Sequence, residues 1–88
     1  MLNNINDIYY IKFALQFTDK QIPELVTLFN TQTQSRAWSS MRAYQDQALI
    51  DEFLRRGIDT TAVFNGKSIS FAHPVRHELP DNKLIAIG

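Results

Sequence analysis

His73 and His77 stand four residues apart, with Glu78 beside the second. Those types can bind a metal or move a proton near neutral pH. Four-residue spacing brings two ligands together on a helix, but Pro74 makes this segment nonhelical. In an extended chain the two rings are about 13 Å apart. The expectation is a pair of solvated loop histidines and no metal site. No serine–carboxylate arrangement beside them reads as a nucleophile and its base. Gly66-Lys67-Ser68 resembles the end of a phosphate-binding loop, but Thr61 stands where the first glycine would be. The following Ile69-Ser70-Phe71 reads as a strand where that motif needs a helix. Asp51 and Glu52 are adjacent on a predicted helix, so their carboxylates diverge and do not form an acid–base pair. They read instead as i,i+4 partners of Arg55 and Arg56.

A second group is suited to contact. Arg36, Trp38, Arg42 and Tyr44 interleave cations with aromatic rings, a pattern that can hold single-stranded nucleic acid through phosphate contacts and stacking. Asp46, Asp51 and Glu52 break up the positive charge nearby, and packing of Trp38 and Tyr44 on a sheet is the favoured reading. Tyr9, Tyr10, Phe17, Trp38 and Tyr44 could contribute to a recognition patch, because aromatics and arginine dominate binding hot spots. The residues assigned to partner contact are Tyr10, Arg36, Trp38, Arg42, Lys67, His73 and His77. No catalytic, cofactor-binding or metal-binding residue is assigned, and no cofactor is expected.

The elements that must carry these residues follow from periodicity. In 8–17, IYYIKFALQF, residues Tyr9, Ile11, Phe13, Leu15 and Phe17 alternate with Tyr10, Lys12, Ala14 and Gln16, which predicts a half-buried strand. Thr18 with Gln21 offers a capping box. Ile22, Leu25, Val26 and Phe29 then make one apolar stripe of a helix ending near Asn30. Residues 30–35 read as a loop. Ser35 is expected to cap a second helix reaching to about residue 56, closed by Gly57 with Ile58 touching Phe53. Asn65-Gly66 predicts a type I′ hairpin. Its register pairs Phe64 with Lys67, Ala62 with Ile69 and Thr60 with Phe71. Ala62, Phe64, Ile69 and Phe71 then share a face, and Val63, Ser68 and Ser70 take the other. Residues 74–82 read as a polar connection and 84–87, LIAI, as a last strand.

Size and charge bound the whole. The chain has 88 residues, nine basic against nine acidic, and no cysteine. It supports one domain, and disulfides, cysteine zinc sites and a cysteine nucleophile are excluded. Zero net charge argues against a nonspecific DNA binder. No apolar run spans a membrane, no signal peptide is evident, and lack of cysteine fits a cytoplasmic location. The fold class expected is α+β: a single small domain over 1–88, with residues 1–7 expected to be disordered. Its order is strand, helix, helix, strand, strand, strand, with two helices packed on a mostly antiparallel sheet.

Ile11 to Phe17 as a strand, Thr18-Asp19 with Ile22 to Phe29 as a helix, and Val63 to Ala72 as a hairpin are similar in order to the opening half of the GNAT acetyltransferase fold. The resemblance implies a glycine-rich acetyl-CoA loop, R/Q-x-x-G-x-G/A, after the strand that corresponds to Leu84–Ile87. The chain stops at Gly88, so acetyl transfer by this chain alone is not expected and no catalytic residue carries over. The leading expectation is a small non-enzymatic module that binds another protein through a sheet edge, exposed aromatics or the hairpin. An inhibitor or regulator encoded by a phage or mobile element would suit it. A homodimer pairing exposed strand edges, a GNAT-like minimal transferase and a nucleic-acid accessory protein are the alternatives, nucleic acid being the less favoured partner.

Overall fold

Residues 8–17 are helical, and this changes the architecture. The computed structural model describes residues 5–35 and 39–87. Its order is α1 (Ile5–Thr18), α2 (Ile22–Gln34), α3 (Ser40–Arg55), β1 (Val75–Glu78) and β2 (Lys83–Ala86). This is a small α+β domain with three helices and a two-stranded antiparallel sheet, in place of two helices on a four-stranded sheet. Helix α1 begins at Ile5, within the 1–7 stretch expected to be disordered; residues 1–4 lie outside the described set.

The misreading of 8–17 has a clear cause. The segment is apolar nearly all round, so it satisfies two periods at once. Tyr10, Phe13, Ala14 and Phe17 recur at i, i+3, i+4, i+7, and these four pack inward. Lys12, Ala14, Leu15 and Gln16 are good helix formers, and the neighbours select the helix. Tyr9 stacks on Tyr44 of α3 with centroids 6.3 Å apart, and the Tyr10 hydroxyl donates to Asp51 of α3. The α-on-α interface thus replaces the sheet that alternation would have required.

Thr18 consequently ends α1, its hydroxyl donating to Leu15 O at 2.7 Å. The cap of α2 is Gln21, whose N–H donates to Glu24 Oε1 at 2.8 Å. The predicted loop 30–35 is mostly helix, because α2 runs on to Gln34. Threonine hydroxyls of this segment bond back into the helix, Thr31 to Thr27 O at 2.9 Å and Thr33 to Asn30 O at 2.7 Å. The cap of α3 is Ser39, which accepts from Arg42 N at 3.2 Å, so the helix is shorter than the 35–56 predicted. At its other end the expectation holds. Gly57 takes φ +75°, Ile58 N donates to Phe53 O at 3.0 Å, and Gly57 N donates to Leu54 O at 2.9 Å.

The Asn65-Gly66 turn forms with a different register. Only Phe64 and Ile69 pair there, across a four-residue loop. Gly66 alone of the two takes positive φ, at +94°. Asn65 Oδ1 accepts from Lys67 N at 2.9 Å and Ser68 N at 2.8 Å, which widens the turn beyond type I′. The predicted strand 60–64 is a helical turn. Asp59 Oδ1 accepts from Thr61 N at 2.9 Å, and Val63 and Phe64 both donate to Thr60 O. Val63 is therefore buried and Ala62 exposed, the reverse of the predicted faces.

The polar connection 74–82 contains β1. Arg76 faces Ile85 and His77 faces Leu84 across the hairpin. The other edge of β1 is held by Asn30 of α2, which donates through Nδ2 to Val75 O at 2.9 Å and accepts from Val75 N at 2.7 Å. A sequence without apolar alternation becomes a strand because β2 pairs one edge and Asn30 anchors its first residue on the other. The outer edge of β2 is bridged by Asp59 at Lys83. The predicted first strand, one of the two edges expected to pair in a dimer, is helix; on the real strands Asn30 engages Val75 and Asp59 bridges Lys83. The core is Phe17, Leu25, Phe29, Leu49, Ile50, Phe53, Ile58, Val63, Val75 and Leu84 with Ala48.

Candidate functional site

Helix α1 carries more apolar surface than the core absorbs. Its inner stripe is buried, but Ile8 is 51% exposed and Leu15 64% exposed on the other side. Met41, from the first turn of α3, adds a third exposed apolar side chain at 41%. Together with Tyr9, Lys12, Phe13 and Gln16, Leu15 and Met41 line an open groove of about 620 Å³. Lys12 is the one charged group in that lining.

A second groove, of about 570 Å³, lies between the start of α2 and the β hairpin. Ile22, Pro23 and Val26 form its α2 side, and Leu79 its lip on the hairpin turn. Gln21, Arg56, Arg76 and His77 complete it, so no carboxylate is among the lining residues. Arg56 is fixed by Glu52 Oε2 at 2.6 Å, by Phe17 O at the end of α1 at 3.0 Å and by Lys20 O in the link to α2 at 2.7 Å. His77 Nε2 lies 2.7 Å from Asn82 Oδ1. Asn82 donates through Nδ2 to Gly57 O at 3.1 Å, so its Oδ1 must accept. His77 therefore carries its proton on Nε2 when neutral.

The residues assigned to partner contact do not gather at one place. Tyr10 faces inward, and burial followed by its bond to Asp51 pushes its hydroxyl up to about 12. Arg42 is built into the fold. Its Nε donates to Asp46 Oδ2 at 3.2 Å, its Nη2 to Gln32 O at 3.0 Å and its Nη1 to Ser35 O at 3.3 Å, and it lies 5.1 Å over the Phe71 ring. Lys67 is exposed in the 65–68 loop and His73 is exposed ahead of β1. Of the five described residues among the seven, His77 alone lines a groove described above. Arg36 and Trp38 lie outside the described residues. Ile8, Leu15, Arg56, Arg76 and Leu79 are absent from the residues assigned to partner contact, although a helix too apolar for a single stripe is a readable signal for the first two.

The paired charges of α3 also rearrange. Glu52 holds both Arg55, Nη2 at 2.5 Å, and Arg56, as the i,i+4 pattern in part predicts. Asp51 bonds Tyr10 and Gln47 and not Arg55. Among the described residues there is no cluster of metal-ligating side chains, and no helix is long and apolar enough to cross a membrane.

Comparisons with protein-family models, curated proteins and solved structures find no match to this chain. Of the pieces that resembled an acetyltransferase, 22–29 is helical, 11–17 is helix where a strand was expected, and the hairpin is a single bridge.

Asp46 shows how the α2–α3 junction is balanced. It is buried, Arg42 satisfies Oδ2, and Oδ1 has no partner among the described residues. Burial pushes its carboxyl above the usual range, against the pull of Arg42. A group that binds its proton more tightly when folded stabilises the fold at low pH, and that stability is lost as pH rises through the raised value. Asp46→Asn should therefore melt at or above the parent temperature at about pH 7, the difference vanishing by about pH 3. A lower melting temperature at neutral pH would make the Arg42–Asp46 pair a net stabiliser.

Proposed function

We propose that this protein is a non-enzymatic binding module that docks another protein on the outer face of α1. The observation that supports this reading is the second apolar stripe of that helix, Ile8 and Leu15 extended by Met41. Leu15 and Met41 share one groove, Ile8 lies two turns back along the same helix, and exposed apolar surface of this kind marks interaction sites. Lys12 sets the kind of partner. A twofold packing of the stripe on itself centres near Lys12 and brings two ammonium groups together, which is unfavourable. An apolar helix or strand of a different chain, with a carboxylate opposite Lys12, fits better than a second copy. Such a surface suits an inhibitor or regulator that acts by covering a partner's own groove.

The test is site-specific photo-crosslinking in the native host, with the probe at position 15 or at position 67. One predominant adduct is expected at 15 and none at 67. The partner so identified should bind Ile8→Asp/Leu15→Asp at least about tenfold more weakly, the loss expected for a hot spot, while the melting temperature stays unchanged. Equal adducts at both positions, or undiminished binding by the double variant, would refute the reading.

A further inference from the structure

The geometry points to a second site: we infer that the groove between α2 and the β hairpin binds a small apolar carboxylate. Its volume, about 570 Å³, lies within the range of ligand pockets, which pair an apolar lining with a few convergent polar groups. Ile22, Pro23, Val26 and Leu79 supply the apolar lining, and Leu79 is 70% exposed although nothing in the fold requires an apolar side chain there. Charge selects the ligand. Arg56, Arg76 and His77 line the groove without a carboxylate.

The nearby acids Glu24, Glu52 and Glu78 equal the guanidinium groups of Arg55, Arg56 and Arg76 in number, but none of the three lines the groove. Glu52 is shared between Arg55 and Arg56, so one carboxylate meets two guanidinium groups. Arg56 engages Glu52 through Nε and the Phe17 and Lys20 carbonyls through Nη2, which leaves Nη1 outside those contacts. Glu24, in the first turn of α2, accepts from the N–H of Gln21. Glu78 meets Arg76 at 3.2 Å, with Arg76 mostly exposed and Glu78 partly so, a pairing of modest worth in water and open to competition by a ligand carboxylate. Guanidinium groups favour carboxylates by two-pronged, charge-assisted bonds. The apolar tail would lie on Ile22 and Val26 under Leu79.

Octanoate is the probe, with octan-1-ol and octylamine as the neutral and cationic comparisons. Titration followed by amide NMR should show saturable shifts at Ile22, His77 and Leu79 with octanoate, and at least about tenfold weaker binding of the alcohol and amine, as expected for loss of a charge-assisted bond. Arg76→Gln should weaken octanoate by about tenfold without moving the melting temperature. Leu79→Ser should weaken octanoate and octan-1-ol alike. Equal affinity for octanoate and octan-1-ol overturns the proposal, as does the absence of any saturable shift up to about 5 mM. Shifts confined to the α1 groove would also overturn it.

Discussion

Arg56→Ala should cost about 2–4 kcal/mol, because it takes one of two guanidinium partners from the buried Glu52 and removes the donor shared by the carbonyls between α1 and α2. Arg56 is the tie between three parts of the fold. It sits at the end of α3, receives Glu52 from the turn before, and donates to the carbonyls of Phe17, Thr18 and Lys20 where α1 finishes. Phe17 O and Thr18 O are among the carbonyls a helix end leaves without intrahelical donors, and Lys20 O belongs to the link to α2. Glu52 is 4% exposed, and the Arg56 side chain is shielded too. With a denaturant slope of about 1–3 kcal/mol/M, the urea midpoint should fall by roughly 2 M. Arg55→Ala is the comparison, since Arg55 pairs with the same carboxylate but is mostly exposed, and its loss should cost under about 1 kcal/mol.

The pH dependence follows from the same contacts. The Arg55 hydrogen bond, joined by Arg56 and opposed by burial, holds the Glu52 carboxyl below the usual range. A group that holds its proton less tightly when folded contributes stability above its unfolded value, and this is lost as pH falls through the lower folded value. Arg56→Ala should therefore narrow the acid-induced loss as well as lower stability at neutral pH. If Arg56→Ala and Arg55→Ala proved equally mild, the tie between α1 and α3 would have to lie in apolar packing alone.

Phe29→Ala should cost about 3–5 kcal/mol, the range for emptying a buried aromatic site. Phe29 is fully buried on α2 and stacks on Phe71 with centroids 5.0 Å apart. Phe71 in turn lies beneath the Arg42 guanidinium. The removed ring thus leaves a cavity where α2, α3 and the segment before β1 meet. At about 0.05–0.15 kcal/mol per residue, a domain this size holds only roughly 4–13 kcal/mol in total, so the variant should be near its folding limit. Phe29→Leu, which keeps most of the volume, should lose less than half as much. Similar melting of Phe29→Ala and the parent would mean that the site collapses around the smaller side chain.

The parts legible from sequence were those fixed by local chemistry. The end of α3 could be read because Gly57 and Ile58 stand at the two positions that a left-handed helix stop demands. The stripe Ile22, Leu25, Val26, Phe29 could be read because polar residues separate its members and leave one period. The segment 8–17 could not. Tyr9, Tyr10, Ile11 and Phe13 satisfy a strand and a helix alike, and stacking on Tyr44 with the bond to Asp51 decides between them. The start of α2 was misplaced for a related reason: Thr18 is a good cap in isolation, but α1 had already claimed it as its last residue.

By itself the sequence determined the α+β class, the stripe of α2, the stop at Gly57 and the last strand, because each depends on residues within a few positions of one another. The tertiary structure alone decided that α1 is a helix, that Val75–Glu78 is a strand, and that Arg56, Arg76, His77 and Leu79 share a groove with the start of α2. Those outcomes depend on partners far along the chain: Asp51 lies 41 residues from Tyr10 and Val75 lies 45 from Asn30. Hydrogen bonds and burial across such separations select among local alternatives of similar energy, and no local pattern carries that information.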